Sequence, residues 1–285
     1  MGKKAYLLLG LLGLIWGSSF LFIKLGVNEM PPAFVAGGRL AAGVLFLFMA
    51  LRMQGRGLPR RALWGPLFIA AFLNNCIPWI LIPWGEQHIS SALASILNAT
   101  QPLFTVLIAH LATYDDRLTW HKLAGIILGF IGVVVLIGAD LRDIASAGAQ
   151  GDLAVLVACV SYAAGAVYTR QNLRGHDHTA LAAGQLAFGL LLAIPLMMLS
   201  LGGLHAVPSA TALLAVAALG ILGSGVAYII YYWLIERVSA SQVSLVTYLL
   251  PITAVFWGAA LLNESLGVNT FAGLILIFVG IFLVN

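Results

Sequence analysis

Apolar residues run through this chain in long blocks, and polar residues and helix breakers are confined to the gaps between them. A helix needs roughly 20 mostly apolar residues to cross a bilayer. Ten stretches approach that length: 5–26, 33–52, 62–84, 90–112, 120–138, 152–171, 179–200, 208–234, 239–262 and 267–284. Residues 179–235 contain no Lys, Arg, Asp or Glu, so the division there rests on the breakers in Gly202-Gly203-Leu204-His205-Ala206-Val207-Pro208. The pattern predicts an all-α polytopic membrane protein with ten transmembrane helices.

Composition agrees. Of 285 residues, 61% are hydrophobic and 8% charged, with a mean hydropathy of +1.02. A soluble domain carries about a quarter charged residues, so the bilayer is the expected partner. The net charge of +4 comes without a basic stripe interleaved with aromatics, which argues against a nucleic-acid partner. Cys76 and Cys159 both sit in apolar runs and read as packing residues. No metal, cofactor or obligatory protein partner is expected. Lys3-Lys4 before an apolar run imitates a signal peptide, but no polar cleavage region follows, so it reads as a retained first helix.

Basic residues set the orientation. With a cytoplasmic N-terminus, that side receives Lys3, Lys4, Arg52, Arg56, Arg60, Arg61, Arg117, Lys122, Arg170, Arg174 and Arg237, eleven of fourteen. The outside receives Lys24 and Arg142, and Arg39 lies within a span. Ten crossings of the inner (plasma) membrane then return the C-terminus to the cytoplasm.

The chain also repeats itself. A shift of 146 residues places Trp16 on Tyr162, Lys24 on Arg170, and Arg39-Leu40-Ala41 on Gln185-Leu186-Ala187. A shift of 149 places Asn75 on Ser224, Trp79 on Tyr228, Trp84 on Trp233 and Pro102 on Pro251. Residues 124–132 match 272–280 at six of nine positions. Two homologous halves are expected: 1–138 and 152–285, joined by an extracytoplasmic linker at 139–151. Five spans per half is an odd number, so the halves must enter the membrane from opposite sides. Such inverted repeats characterise secondary transporters, whose sites lie near the midplane between repeats.

Several segments bear a family likeness: Leu14-Ile15-Trp16-Gly17-Ser18-Ser19-Phe20 through Lys24, Arg39-Leu40-Ala41-Ala42, Gln101-Pro102-Leu103-Phe104, Leu249-Leu250-Pro251-Ile252, and Asn263-Glu264-Ser265-Leu266 leading into residues 271–280. With these the chain resembles the EamA family of the drug/metabolite transporter superfamily over nearly its whole length. The resemblance implies export of small metabolites, often amino acids, by alternating access. Tyr162 in place of a second Trp, and Asp116 without an adjoining Glu, depart from the repeated pattern.

Polar and aromatic side chains recur at helical spacing in both halves. The candidate substrate-binding set is Trp16, Ser19, Asn75, Trp79, Asn98, Gln101, Tyr162, Ser224, Tyr228, Thr247 and Tyr248. Amide and hydroxyl groups can bind a carboxylate or an ammonium, while Trp and Tyr faces cover an apolar side chain or attract a cation. Each residue alone is equally explained as interhelical glue or interfacial belt; the repeat-paired set favours a site. Arg39 either binds a substrate carboxylate, holds helix carbonyls or snorkels; its repeat partner Gln185 favours a structural hydrogen-bonding role for both. Lys24 and Arg170 are candidate gate residues, with snorkelling as the blander reading. Pro102 and Pro251 predict matched hinges, and Gly10, Gly13, Gly17, Gly125, Gly129 and Gly132 predict close helix contacts.

The ten acidic residues all fall in loops or at helix ends, which argues against a proton relay and for facilitated uniport. An ATP-driven pump is disfavoured by the missing phosphate-binding loop. Other readings are an intramembrane hydrolase using Ser224 in Gly223-Ser224-Gly225 with His110, a channel, or an exporter of drugs, nucleosides or sugars. The hydrolase lacks a fuller signature, and the channel lacks a charge ring or carbonyl filter. An enzyme is not expected.

Overall fold

The computed structural model describes residues 3–112, 119–137, 146–173, 175–237, 246–264 and 267–284; the side chains at 137, 232, 235–237, 247, 248 and 284 lie outside that description. Among the described residues all regular structure is helical. The helices are α1 (Lys3–Val27), α2 (Pro32–Met53), α3 (Arg61–Glu86), α4 (Ser91–Ala112), α5 (Trp120–Ile137), α6 (Ala147–Asn172), α7 (His178–Leu199), α8 (residues 210–237), α9 (Val246–Leu262) and α10 (Val268–Val284). Seven of them, α1–α4 and α6–α8, are long and apolar enough to cross a membrane; α5, α9 and α10 are shorter apolar helices.

The sequence punctuates these helices with side-chain caps. Ser90, Ser146, Asp177 and Ser209 each accept a hydrogen bond from the backbone N–H three residues on, at 3.0–3.2 Å, satisfying donors that a helix start leaves open. The cap at Ser146 corrects one expectation. Helix α6 begins at Ala147 rather than near 152, so Asp152 lies inside the helix and is buried. Residues 147–151 of the expected linker are therefore helical.

Large apolar side chains, including Leu45, Met49, Val157, Leu191, Ile275 and Phe282, stay exposed around the bundle, far more than a soluble monomer tolerates. Polar groups such as Asn75, Ser95, Gln185 and Ser224 are buried inside. The protein is a multi-pass membrane protein, apolar outside and polar within.

Packing joins segments that match under the repeat. Helix α5 packs along α10, α2 along α7, α1 along α9 as α6 does along α4, and α3 against α6 as α8 does against α1. The α5–α10 contact brings backbones together through glycine. A Cβ added to Gly280 would lie 2.6 Å from both the Gly125 carbonyl oxygen and the Gly129 nitrogen, and one on Gly132 would lie 2.8 Å from the Ile277 nitrogen. These glycines belong to the segments 124–132 and 272–280 that match in sequence. Gly17 meets the α9 backbone in the same way, at the Leu250 carbonyl, and Gly13 meets the Leu249 side chain, whereas a Cβ on Gly10 would meet nothing within 4 Å among the described residues.

Charged groups tie the loops at the two ends. Arg56 Nη1 lies 3.1 Å from Asp177 Oδ2, linking the α2–α3 and α6–α7 connections. At the other end the Glu29 carboxylate accepts from Ser209 N–H (2.6 Å) and Ser209 Oγ (2.7 Å), linking the α1–α2 turn to the start of α8. These two donors hold Glu29 below the ordinary carboxylate value.

Two outcomes follow from this packing. Gly280→Ala forces backbone apart and should lower stability by about 1–3 kcal/mol, seen as a lower melting temperature in detergent micelles. Because the Glu29 pKa is depressed by folding, its contribution is present above the ordinary carboxylate range and is lost as pH falls through the folded pKa. Glu29→Gln should therefore melt below wild type at neutral pH and converge with it in acid.

Candidate functional site

Two helices change pitch at matched places. In α3 the α-helix gives way to a π-helical turn at Phe72–Cys76, and in α8 to one at Ile221–Val226. The two turns coincide under the 149-residue shift. A π turn adds a residue to the turn and commonly marks a functional site. Here each turn presents one fully buried polar side chain, Asn75 and Ser224.

Each is met by a residue of the other half. Arg39 of α2 donates from Nε to Ser224 Oγ at 2.9 Å, with Nη2 3.5 Å from the Gly223 carbonyl oxygen. Gln185 of α7 donates from Nε2 to Asn75 Oδ1 at 2.7 Å. The pairs are equivalent under the repeat, and all four side chains are at most 8% exposed. An Arg39 that snorkelled would be solvent-exposed; this one points inward. In such surroundings a polar group without a partner is costly, so these bonds hold the halves in register.

Aromatic groups enclose the pairs. The Arg39 guanidinium stacks 3.7 Å from the ring centroid of Trp79, and Trp79 Nε1–H donates to Tyr162 Oη at 2.8 Å. Trp16 Nε1–H donates to the Gly223 carbonyl at 3.1 Å and its ring packs 5.4 Å from Tyr231. Gly223 is small for a reason: a Cβ there would lie 2.9 Å from Ser19 Oγ. Tyr162 and Tyr228 pack with Trp79 on one apolar cluster. Tyr162 and Trp16 are repeat equivalents but are held differently, as their sequence difference requires.

Helix α4 breaks at Ala99–Thr100, between Asn98 and the Gln101-Pro102 start of its second segment. Asn98 is buried against α6, where the Cys159 thiol contacts Leu97 O and Asn98 Oδ1. Helix α9, in contrast, runs on through Pro251. The two prolines therefore sit differently, Pro102 in the first turn after a break and Pro251 in mid-helix. A proline in the first turn of a helix sacrifices no hydrogen bond, and one in mid-helix need only remove one.

Lys24 of α1 donates Nζ to the carbonyls of Glu86 and Ile89, the latter at 2.9 Å, tying α1 to the α3–α4 turn. Beside it Glu264 caps α4 from the far half, accepting from Ser91 N–H (2.8 Å), Ser91 Oγ (3.1 Å) and Ala92 N–H (3.1 Å). Asn263, at φ 54°, turns the chain so that Glu264 N–H reaches Gly258 O at 3.0 Å. The Glu86 carboxylate is fully buried and accepts no hydrogen bond from the described residues. The repeat equivalent of Lys24 sits differently: Arg170 is exposed at the last turn of α6.

The structure thus gathers Trp16, Ser19, Asn75, Trp79, Tyr162, Ser224 and Tyr228 around Arg39 and Gln185. It sets Asn98 and Gln101 apart at the α4 break, and the side chains of Thr247 and Tyr248 lie outside the described residues. Glu86 and Glu264 were missed as candidates; both stand at helix ends as the sequence predicts, but the sequence does not reveal that Glu86 is fully buried or that Glu264 bonds to the start of α4. Ser224 accepts from Arg39, and His110 is exposed near the end of α4, which gives the hydrolase reading no nucleophile–base pair.

Residues 3–138 and 149–285 each match the EamA-like transporter family. The chain is 28% identical over 275 residues to the uncharacterized transporter YoaV of Bacillus subtilis, covering 95% of this chain and 92% of that protein. It is 33% identical over 256 residues to the uncharacterized inner membrane transporter YedA of Escherichia coli, covering 89% and 81%. A probable amino-acid metabolite efflux pump of Salmonella typhimurium is 28% identical over 292 residues, covering 99% and 95%. One solved crystal structure shares the fold with a TM-score of 0.70 at 20% identity, covering 99% of this chain and 96% of the other.

Trp79→Phe keeps a ring beneath Arg39 but removes the donor to Tyr162. It should cost about 1 kcal/mol, measured as a lowered melting temperature, and the cost should disappear when Tyr162→Phe is already present.

Proposed function

The chain belongs to the EamA-like transporter family, and on that premise we propose that it is a secondary carrier exporting small metabolites, amino acids foremost, by alternating access. In this reading ten helices cross the inner membrane as two inverted five-helix repeats, with both termini cytoplasmic. The observation that carries it is the pair of equivalent bonds between halves, Arg39–Ser224 and Gln185–Asn75. Groups that meet across a pseudo-two-fold axis are those that separate when one half rocks against the other.

The substrate site forms around Trp16, Ser19, Asn75, Trp79, Tyr162, Ser224 and Tyr228 when that seam opens, with Asn98 and Gln101 along the path. Hydroxyl and amide groups replace the water around a polar ligand, and the aromatic faces cover its apolar part. Lys24 with the α3–α4 turn, and Glu264 on α4, form the outer closure. Opening that side requires these bonds to part. The name of the Salmonella relative supports amino acids as substrates.

Transport is uniport. Asp152 is buried within α6 and Glu86 at the end of α3, but neither is among the side chains gathered around Arg39 and Gln185, so no carboxylate of the described residues stands at the polar centre to take a proton through it. Purified protein in liposomes should show saturable counterflow with at least one amino acid in a panel that also contains nucleosides, sugars and hydrophobic drugs. A channel would give flux without counterflow. Imposing a pH gradient alone should drive no accumulation against the substrate gradient; uphill uptake under that condition would show proton coupling.

A further inference from the structure

Arg39 lies seven residues into α2, about 10 Å along its axis, and carries a charge that proteins do not titrate away. It is 8% exposed. Among the described residues no carboxylate pairs with it; its electrostatic neighbours are the phenols of Tyr162 and Tyr228. Its bonds are few for a buried guanidinium. Nε is used by Ser224, Nη2 makes a long contact with one carbonyl, and Nη1 makes no hydrogen bond to the described residues.

The repeat supplies an internal control. Gln185 occupies the equivalent position and makes the equivalent bond between halves, at 2.7 Å, with a neutral amide. Bridging α2 or α7 to the opposite π turn therefore requires no charge. Burying a cation without a counter-charge costs several kcal/mol, and a bridge alone does not offset that.

Building on the carrier reading above, we propose that Arg39 is the anchoring group for a carboxylate on the transported molecule, so that the substrates are small carboxylates, amino-acid zwitterions among them. The Nη1–Nη2 edge matches the two oxygens of a carboxylate in a bidentate pair. Trp79, which belongs to the same half as Arg39 and stacks on the guanidinium, fixes the plane in which that pair forms. The side chain at 39 is then the point where the two halves part company: Gln185 holds the structure together and Arg39 in addition reads the ligand.

The test compares each amino acid with its own carboxamide as counterflow substrates in proteoliposomes. Wild type should prefer the acid at least about tenfold, the scale of one charge-assisted hydrogen bond. Arg39→Gln restores the amide of the equivalent position, should stay folded by its melting curve, and should lose that preference. Should Arg39→Gln fail to fold, Arg39→Lys, which keeps the charge without the fork, should show a preference reduced below wild type. Equal exchange of acid and carboxamide by wild type, or wild-type preference in the variant that folds, overturns the assignment. Exchange of nucleosides or sugars with no carboxylate exchanged also overturns it and leaves the carrier reading standing. Absence of counterflow with any solute of the panel removes the carrier reading and this inference together.

Discussion

The arrangement depends on the reach of one half into the π turn of the other. Arg39 meets Ser224 and Gln185 meets Asn75, and every other element of the centre is disposed about those two bonds. Trp79 stacks on the guanidinium, Tyr162 is held by Trp79, and Trp16 is held by the carbonyl next to Ser224. Removing either bond would leave a buried polar group in surroundings where water cannot replace the partner.

Lipid limits where the backbone can leave a helix. A helix break is tolerated at membrane depth only where protein encloses it, whereas a π turn still satisfies its backbone groups within the helix. The turns at Phe72–Cys76 and Ile221–Val226 pack one side against α2, α6 and α7 and leave Phe72, Ile221 and Leu222 exposed, whereas the break at Ala99–Thr100 is buried. Elsewhere the outward faces are regular and apolar. Apart from Arg39 and Asp152, the charged groups of the described residues gather at the helix ends, where Lys24 and Glu264 bind backbone carbonyls and N–H groups of neighbouring helices rather than each other.

Helix positions were legible from the sequence because hydropathy and breakers mark them directly, and most boundaries agree within two residues. The start of α6 was not, because Asp152 suggested a polar edge while Ser146 made the cap six residues earlier. The repeat was legible through residues kept at a constant shift, such as Asn75 with Ser224. The π turns were not: nothing in Phe72-Leu73-Asn74-Asn75-Cys76 distinguishes them from α-helix. Through-space partners were also hidden. The sequence paired Arg39 with Gln185 by position, but only the fold shows that each bonds to a different helix of the opposite half. Proline alone was a poor guide, since α9 passes through Pro251 and α4 breaks just ahead of Pro102.

The glycine contact between α5 and α10 lies apart from all of this. Neither helix contributes a side chain to the polar centre, and their backbones meet with no room for a methyl group. The clasp and the reading surface are therefore separable units of inheritance. In the proposed carrier, substitutions around Trp16, Trp79 and Tyr162 would retune what is recognised without disturbing the clasp, while the clasp itself rests on a few glycines.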